Sequence, residues 1–333
     1  MRLVAPEGLT NQERIDWYNT QENVKDYLYG TRGGWVKYPE NPVVGMPKWV
    51  GTCFDMSIVK REGTYHMWFS WRLHKGIGYT TSVDGIHWEP LQLVMGPVEG
   101  SSFEGDEINR PTVIYRQGWY HMWYSGQMRP YLEGGVSTIC YAKSRDGIHW
   151  QRPVDQPVLV PDQPWELTAI MCPHVLYDQE EKCYKMWYSG GSNHEPDAIG
   201  YAQSQDGFFW EKHQGPVLEK DPANLWEQHK VVGSHVLKHE GWYYMFYIGH
   251  FHEERGSIGL CRSRNGIDHW EKHPENPLIA PEEKGFDDVS VYKPFVLKEE
   301  KGWAMWYNGA EFDKDVWVYE TIAYAYHEQE DLF

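Results

Sequence analysis

Three carboxylic acids, Asp55, Glu107 and Asp288, lie near the start of segments that are otherwise rich in β-branched residues. Burying a carboxylate is costly unless it is paired or used in chemistry. Two carboxyl groups that face one cavity can serve as general acid, general base or nucleophile. We therefore take these three residues as candidate catalytic groups, with structural ion pairing as the competing interpretation.

Basic and imidazole side chains occur at comparable places in the other segments. When the segments are aligned, Arg110 and Lys293 fall opposite Asp55, which is the only carboxylate at that position. Cations there would hold hydroxyl or anionic groups of a ligand and would tune nearby carboxylates. The predicted ligand-binding residues are Asp106, Arg110, His174, His229, Lys230, His235, Lys293, Tyr292 and Arg72.

These segments recur because the chain contains an internal repeat. The phrase Ser-x-Asp-Gly-x-x-Trp ends at Trp88, Trp150 and Trp210, and a version one residue longer ends at Trp270. A second phrase, in which Met precedes Trp or Phe, occurs five times. Asp-Gly between two strands favours a hairpin, and repeated units of four short strands are typical of propeller blades. In the second unit, strands are predicted at 111–115, 119–124, 138–143 and from Trp150.

Motifs that occur once per unit are interpreted as structural, since chemistry rarely needs four identical copies. The Asp and Ser of the turn phrase can bond turn amides, and its Trp can wedge between blades. The same reasoning applies to the aromatic–acid pairs Phe103-Glu104, Trp165-Glu166, Trp226-Glu227 and Phe286-Asp287.

The two ends of the chain complete one unit. The fifth unit lacks an outer strand, and Trp35-Val-Lys37 mirrors Trp270-Glu-Lys272 in the fourth. The sequence therefore predicts an all-β, five-bladed β-propeller of four-stranded blades, closed by an N-terminal strand that completes the last blade. It predicts a single domain over 1–333, with an N-terminal helical extension at 1–30, including a short helix within 9–28 packed on the outside, and the propeller at 31–333.

The predicted site lies over the central tunnel, on the face where the chain enters each inner strand. The loops after the Met-Trp strands share that face and should form a polar rim. They comprise residues 72–75, 129–133, 194–197, 250–255 and 311–315.

Composition excludes several classes of function. Lys and Arg number 31 against 48 Asp and Glu, and this charge of −17 repels nucleic acid. The sequence contains no run of about 18 apolar residues, so no membrane span is predicted. The first residues also lack the apolar core of a signal peptide. The five widely spaced cysteines form neither a disulfide framework nor a metal motif. A cytoplasmic location is expected.

The strand phrases, blade count and closure resemble the five-bladed propeller glycoside hydrolases of families 43, 32, 117 and 130 over nearly the whole chain. Phe54-Asp55-Met-Ser-Ile58 resembles the Asp-Pro-Ser-Ile start of the first blade in family 43. There the Asp is the base of inverting members, and in family 32 the comparable Asp is a nucleophile. The resemblance is greatest to uncharacterised "glycosylase" propellers with an Arg-Pro-x-Val-Ile phrase, here Arg110–Ile114. It implies that Asp55 is the base or nucleophile.

The general acid of these families has no matching residue in this sequence. The Glu-Gly-Pro-His phrase of family 43 is Val232-Gly-Ser-His235 here, and the Glu-Cys-Pro phrase of family 32 is Met171-Cys-Pro173. Glu107 is the leading candidate acid, with Asp106 and Asp288 as alternatives. The imidazoles of His174, His229 and His235 are further candidates for the acid or for sugar contacts.

Three functions follow from the resemblance and stay open. The first is a hydrolase that removes a terminal sugar from an oligo- or polysaccharide with a carboxylate pair. The second is a glycoside phosphorylase, with phosphate held by Arg110, Lys230, Lys293 and His229. The third is a non-catalytic carbohydrate-binding propeller. Trp71, Tyr131 and Trp317 are candidates for stacking on sugar rings. No motif requires a metal or cofactor, although the resemblance implies that a calcium or sodium ion could occupy the tunnel.

Overall fold

The fold is almost entirely β-sheet. The computed structural model describes residues 6, 8–10, 13, 16–18, 20–21, 25–128, 135–192, 196–314 and 317–333. Helical structure in these residues is confined to α1 (Lys25–Leu28), residues 13 and 16–18, and single 3₁₀ turns at Lys48–Val50, Arg72–His74, Pro164–Glu166 and Leu225–Glu227. None of the described helices is long and apolar enough to span a bilayer. The all-β prediction is confirmed.

The strands pair in five groups of four. Group 1 contains β2 (Cys53–Arg61), β3 (Thr64–Trp71), β4 (Gly76–Ser82) and β5 (Gln92–Met95). Group 2 contains β6 (Glu107–Arg116), β7 (Trp119–Met128), β8 (Val136–Ser144) and β9 (Trp150–Gln151). Group 3 contains β10 (Ala169–Asp178), β11 (Cys183–Gly191), β12 (Pro196–Ser204) and β13 (Glu211–Lys212). Group 4 contains β14 (Lys230–His239), β15 (Trp242–His252), β16 (Arg255–Ser263) and β17 (Glu271–Lys272). Group 5 contains β18 (Ser290–Lys298), β19 (Trp303–Asp313), β20 (Trp317–His327) and β1 (Trp35–Lys37).

The first strand of each group is its inner strand. Each inner strand packs against the inner strand of the next group, and β18 packs against β2. Groups 2 and 3 are also linked by one parallel residue pair, Ser137 with Ala169. The four strands predicted for the second unit all lie within the observed strands of group 2.

The N-terminal strand completes the last group, as predicted. Trp35 of β1 lies opposite His327 of β20, and Lys37 lies opposite Ala325. The Lys37 ammonium group donates to a carboxylate oxygen of Asp287 at 2.9 Å. Lys272, the corresponding lysine in group 4, pairs in the same way with the buried Glu227 of its own group. The similarity of the two sequence segments therefore corresponds to the same contact.

Tryptophans of the second strands tie neighbouring groups together. Each such indole N–H donates to the carbonyl oxygen of the Asp-Gly or Asn-Gly turn in the following group. The pairs are Trp68 with Gly147 at 2.8 Å, Trp123 with Gly207 at 2.9 Å, Trp187 with Gly266 at 2.8 Å and Trp306 with Gly85 at 2.8 Å. The last pair connects group 5 back to group 1.

The repeated motifs have the structural roles that the sequence predicted. In the first turn phrase, one carboxylate oxygen of Asp84 accepts hydrogen bonds from the amides of Ile86 and His87. In the aromatic–acid pairs, the fully buried Glu166 accepts from Lys212 at 2.7 Å and from the Tyr188 hydroxyl at 2.7 Å. The five cysteines are all free thiols in the core, which agrees with the absence of a disulfide framework.

The N-terminal extension packs on the loop between β15 and β16. The Tyr18 ring stacks on His252 with centroids 4.6 Å apart, and Arg255 donates to the carbonyl oxygen of Leu28 at 2.9 Å. The predicted helix within 9–28 is therefore present only in short pieces among the described residues, and Asn11 and Ile15 of that prediction lie outside them.

Candidate active site

A β-bulge in every inner strand sets the positions of the predicted central residues. The register shifts at one place in each strand, and a residue with a left-handed backbone lies there. These bulge residues are Asp55, Arg110, Cys172, Gly233 and Lys293, with φ between 47° and 60°. Left-handed backbone is unfavourable for a non-glycine residue, and bulges commonly re-aim side chains next to functional sites. The alignment of these five positions in the sequence is confirmed.

Each of four bulges is held by a polar side chain from the second strand of the preceding group. The bulge amide N–H donates to a hydroxyl or amide oxygen there. The pairs are Arg110 with Ser70 at 2.7 Å, Cys172 with Ser125 at 3.2 Å, Gly233 with Ser189 at 2.9 Å and Asp55 with Asn308 at 2.8 Å. A buried N–H left without an acceptor would be costly, so these contacts fix the strained backbone.

A cavity of about 560 Å³ opens over the bulges. Asp55, Arg110, Cys172 and Lys293 line it, together with Tyr292 and the entry to β2 at residues 51–52. The loops after the second strands contribute Arg72, Leu73, His250, Glu253 and Glu254. This is the face on which the sequence placed the site.

Asp55 is the most deeply buried carboxylate in this cavity, with 3% of its surface exposed. One of its carboxylate oxygens lies 3.2 Å from Nε of Arg110. Burial raises the pKa of Asp55, and the negative charge of Glu320 raises it further, while the positive charges of Arg110 and Lys293 oppose this. The net effect is a raised pKa, which makes the ionised group a stronger base than a free aspartate.

Glu320 is one of three further carboxylates that line the cavity, with Glu253 and Glu254, and sequence reasoning missed it as a site residue. It lies on β20, accepts a hydrogen bond from the Tyr292 hydroxyl, and pairs with Arg72 at 2.9 Å. The third strands of the units could have revealed Glu320, because it occupies a position that differs from unit to unit. When they are aligned on Ile77, Ile139, Ile199, Ile258 and Ile322, the position of Glu320 holds Lys75, Ser137, Asp197 and Gly256 in the other units.

The other predicted acids lie outside the set of residues that line the cavity. Glu107 accepts from the Asn109 amide at 2.9 Å, and its negative charge raises the pKa of Arg72 and of Arg110. Asp106 pairs with Lys75 at 2.8 Å. The structure brings Asp55 together with Arg110, Lys293, Tyr292 and Arg72, but not with these two acids.

Asp288 also lies away from the cavity lining. Burial raises its pKa, and its backbone carbonyl accepts from Arg255 at 3.0 Å. One of its carboxylate oxygens is buried without a hydrogen-bond partner.

His174 and His235 face the tunnel beyond the bulges. Each donates from Nε2 to a carbonyl of the next inner strand, His174 to Val236 at 2.7 Å and His235 to Val296 at 2.9 Å. Burial lowers the pKa of His174 to about 3 and that of His235 well below its usual value. Both rings are therefore neutral, and they line the space of about 10 Å³ beyond the bulges and a second cavity of about 700 Å³.

His229 and Lys230 stand behind the rim. The His229 amide donates to the carbonyl of His250 at 3.0 Å. Burial lowers the pKa of Lys230 to about 8, against the opposing charges of Glu254 and Glu253. The residues that reach the cavity from this side are His250, Glu253 and Glu254, not the two that were predicted.

Part of the predicted rim lies outside the described residues. This applies to residues 129–133 with Tyr131, to His194 and Glu195, to Asp315 and to the side chain of Trp317. Trp71 donates from its indole to the carbonyl of Val50 at 2.7 Å and packs on the core of groups 1 and 5, so its ring supports the entry to β2.

The tunnel offers few ligands for a metal ion. Beyond the bulges, a space of about 10 Å³ is lined by residues that include Ser57, Thr112 and Ser234 and the neutral rings of His174 and His235. Calcium prefers six to eight oxygen ligands that include carboxylates, so this set does not fit calcium. Over the described part of the chain, no three His, Cys, Asp or Glu side chains are grouped to hold a metal. Sodium in the tunnel stays a prediction.

Comparison with known families agrees with the resemblance seen in the sequence. The model of "Glycosyl hydrolases family 43" matches residues 41–322. The chain belongs to this family. It is therefore a member of a family of glycosidases, which is the enzyme class that the sequence predicted.

Curated relatives match over about half of their own length. An uncharacterized protein of Mycobacterium tuberculosis is 31% identical over 40% of this chain and 44% of its own. A "Beta-1,2-mannobiose phosphorylase" of Thermoanaerobacter sp. (strain X514) is 29% identical over 44% of this chain and 51% of its own.

Solved structures share the fold at low sequence identity. A thermostable family-43 glycoside hydrolase superimposes with a TM-score of 0.66 at 20% identity, covering 86% of this chain and 91% of its own. The β-1,2-mannobiose phosphorylase of Listeria innocua has a TM-score of 0.68 at 14% identity, covering 88% and 96%.

Proposed function

We propose that this family-43 member is a single-domain, five-bladed β-propeller hydrolase that removes a terminal sugar from an oligo- or polysaccharide. The five strand groups would be the blades, and the contacts from group 5 back to group 1 support closure of the ring. The cavity suits a terminal sugar, because the space beyond the bulges at its base is only about 10 Å³.

The observation that carries this proposal is that Asp55 and Glu320 line one cavity, in which the negative charge of Glu320 helps to raise the pKa of Asp55. Glycosidases cleave with two carboxyl groups that flank the bond. We assign the base or nucleophile role to Asp55, as the resemblance implies. Glu320 replaces Glu107 as the second carboxyl group, since Glu107 does not line the cavity. Arg110 and Arg72 each hold one of the two carboxylates in place.

The test is a panel of aryl glycosides and oligosaccharides that includes furanosides, mannosides and uronides, with and without phosphate. Asp55→Asn and Glu320→Gln should each lose at least about 100-fold in kcat/KM, the usual contribution of a positioned proton-transfer group. Glu107→Gln is the matched control and should stay within a few-fold of wild type. Cleavage that survives Asp55→Asn would refute the role assigned to Asp55. A loss of activity in Glu107→Gln but not in Glu320→Gln would show that Glu107 is the acid, as the sequence predicted.

A phosphorylase is the second candidate. The mannobiose phosphorylase relative and the cations Arg110 and Lys293 in the cavity favour it. Turnover that requires inorganic phosphate and releases a sugar phosphate would select it. Sugar binding without cleavage of any panel member, unchanged in Asp55→Asn, would instead select a carbohydrate-binding propeller.

A further inference from the structure

The turn that leads into the inner strand holds a buried acid in four of the five groups. Glu104, Glu166, Glu227 and Asp287 each lie six residues before the bulge of their own strand, and at most 2% of each is exposed. Trp49 occupies this position in group 1, and 81% of its surface is exposed. A scaffold contact that four groups share is therefore replaced in group 1 by a large aromatic side chain that the core does not use.

The backbone on both sides of Trp49 is held by its neighbours. The ammonium group of Lys48 lies 2.9 Å from a carboxylate oxygen of Asp313, and the carbonyl oxygen of Val50 accepts from the Trp71 indole at 2.7 Å. Among the residues that the structure describes, the Trp49 ring itself has no aromatic partner, and its indole N–H has no acceptor. A rigid aromatic side chain on a fixed turn offers a large contact area and loses little entropy when a ligand packs on it.

This turn is continuous with the wall of the candidate active site. Gly51 and Thr52 line the cavity, and two steps of 3.8 Å along the chain place the Cα atom of Trp49 at most about 7.6 Å from that of Gly51. Leu73 also lines the cavity and is 63% exposed. It lies against the turn, because a Cβ placed on Gly51 would be 2.9 Å from Cβ of Leu73. Group 1 therefore presents two exposed apolar side chains at its part of the cavity rim.

A sugar chain whose terminal unit lies in the cavity must leave over the rim, because the space beyond the bulges is only about 10 Å³. The rim of group 4 carries the carboxylates of Glu253 and Glu254, whereas an aromatic face suits the apolar C–H face of a sugar ring. We propose that Trp49, with Leu73 beside it, is a stacking surface for the sugar joined to the terminal one. This proposal rests on the proposed function for the place of the terminal sugar, but binding to Trp49 does not require cleavage.

The experiment is isothermal titration of the full chain with three matched pairs: arabinose with α-1,5-arabinobiose, xylose with β-1,4-xylobiose, and mannose with β-1,2-mannobiose. Every protein carries Asp55→Asn, so that the proposed cleavage does not consume the ligand. At least one disaccharide should bind about fivefold more tightly than its monosaccharide, which is the contribution of one aromatic contact. Adding Trp49→Ala should remove this preference without weakening the monosaccharide, and Trp49→Phe, which keeps a ring, should retain part of it. Phe209→Ala removes an aromatic ring of group 3 that is 80% exposed and does not line the cavity, and it should leave the preference unchanged.

No preference for the disaccharide in any of the three pairs would overturn the proposal, and so would a preference that Trp49→Ala retains. Sedimentation that shows wild type as a dimer and Trp49→Ala as a monomer would also overturn it, because the ring would then belong to a contact between two copies of the chain. If wild type cleaves no glycoside of the panel but a disaccharide binds through Trp49, the hydrolase proposal fails and this one stands. If wild type cleaves glycosides and Trp49→Ala binds disaccharides as tightly as its parent, the reverse holds.

Discussion

The serine hydroxyls that hold the bulges allow stability and catalysis to be separated. Ser70→Ala removes the acceptor of the Arg110 amide, and Ser189→Ala removes the acceptor of the Gly233 amide. Both serines are fully buried. The two substitutions are chemically identical, but only Arg110 has a side chain that contacts Asp55.

Leaving a buried amide without a partner costs about 1–3 kcal/mol. For a chain of 333 residues, an unfolding entropy of about 2.1 cal/mol/K per residue converts 1 kcal/mol to roughly 1.5 °C of Tm. Both variants should therefore melt about 1.5–4 °C below wild type. Ser70→Ala alone should also lose tenfold or more in kcat/KM, because the Arg110 guanidinium is no longer held against the carboxylate of Asp55.

The assays are differential scanning calorimetry and steady-state kinetics on a substrate identified by the glycoside panel. Ser189→Ala should stay within twofold of wild-type kcat/KM. An equal loss of activity in both variants would refute the idea that the bulge contacts act through the side chain they position. Unchanged melting in both would show that the hydroxyls do not satisfy the amides.

Three further predictions follow from the site and the scaffold. Because Glu320 raises the pKa of Asp55, the acid limb of the pH–rate profile should lie at a lower pH in Glu320→Gln than in wild type. An acid limb at the same pH or at a higher pH would contradict this electrostatic effect. Tyr18→Ala removes the ring stacked beneath the rim loop and should raise KM several-fold with little change in kcat, measured by initial rates; an unchanged KM would mean that the extension does not support the rim. Glu166→Gln leaves the ammonium group of Lys212 without its fully buried carboxylate, which should cost about 3–5 kcal/mol by denaturant unfolding while kcat/KM is preserved; a loss of activity without a loss of stability would argue for a direct role.

The repeat explains why so much of the scaffold could be predicted. Lys37 was matched to its counterpart in group 4 because both are needed for the same contact with a buried acid. The five bulge positions could be aligned because a bulge shifts every later side chain to the other face, so the pattern on either side fixes its place.

The site was predicted less completely because its partners come from different strands. Glu320 reaches Asp55 through the packing of β20 beside β2, a tertiary relation that an alignment of inner strands does not contain. His174 lies just past its bulge, where the side chain bonds the next strand instead of entering the cavity. The sequence showed which types of residue lie on the inner strands. It did not show whether each side chain enters the cavity or points away from it.

The indole hydrogen bonds between groups have a consequence for how such a ring is made from copies of one unit. Each unit carries both a donor on its second strand and an acceptor in its Gly turn, so a duplicated unit brings its own means of attachment. The joint from group 4 to group 5 is the exception, because Phe246 has no donor and the outer strand of group 5 comes from the other end of the chain. The joint from group 4 to group 5 therefore depends on the packing of β18 against β14, β15 and β16 instead of an indole hydrogen bond.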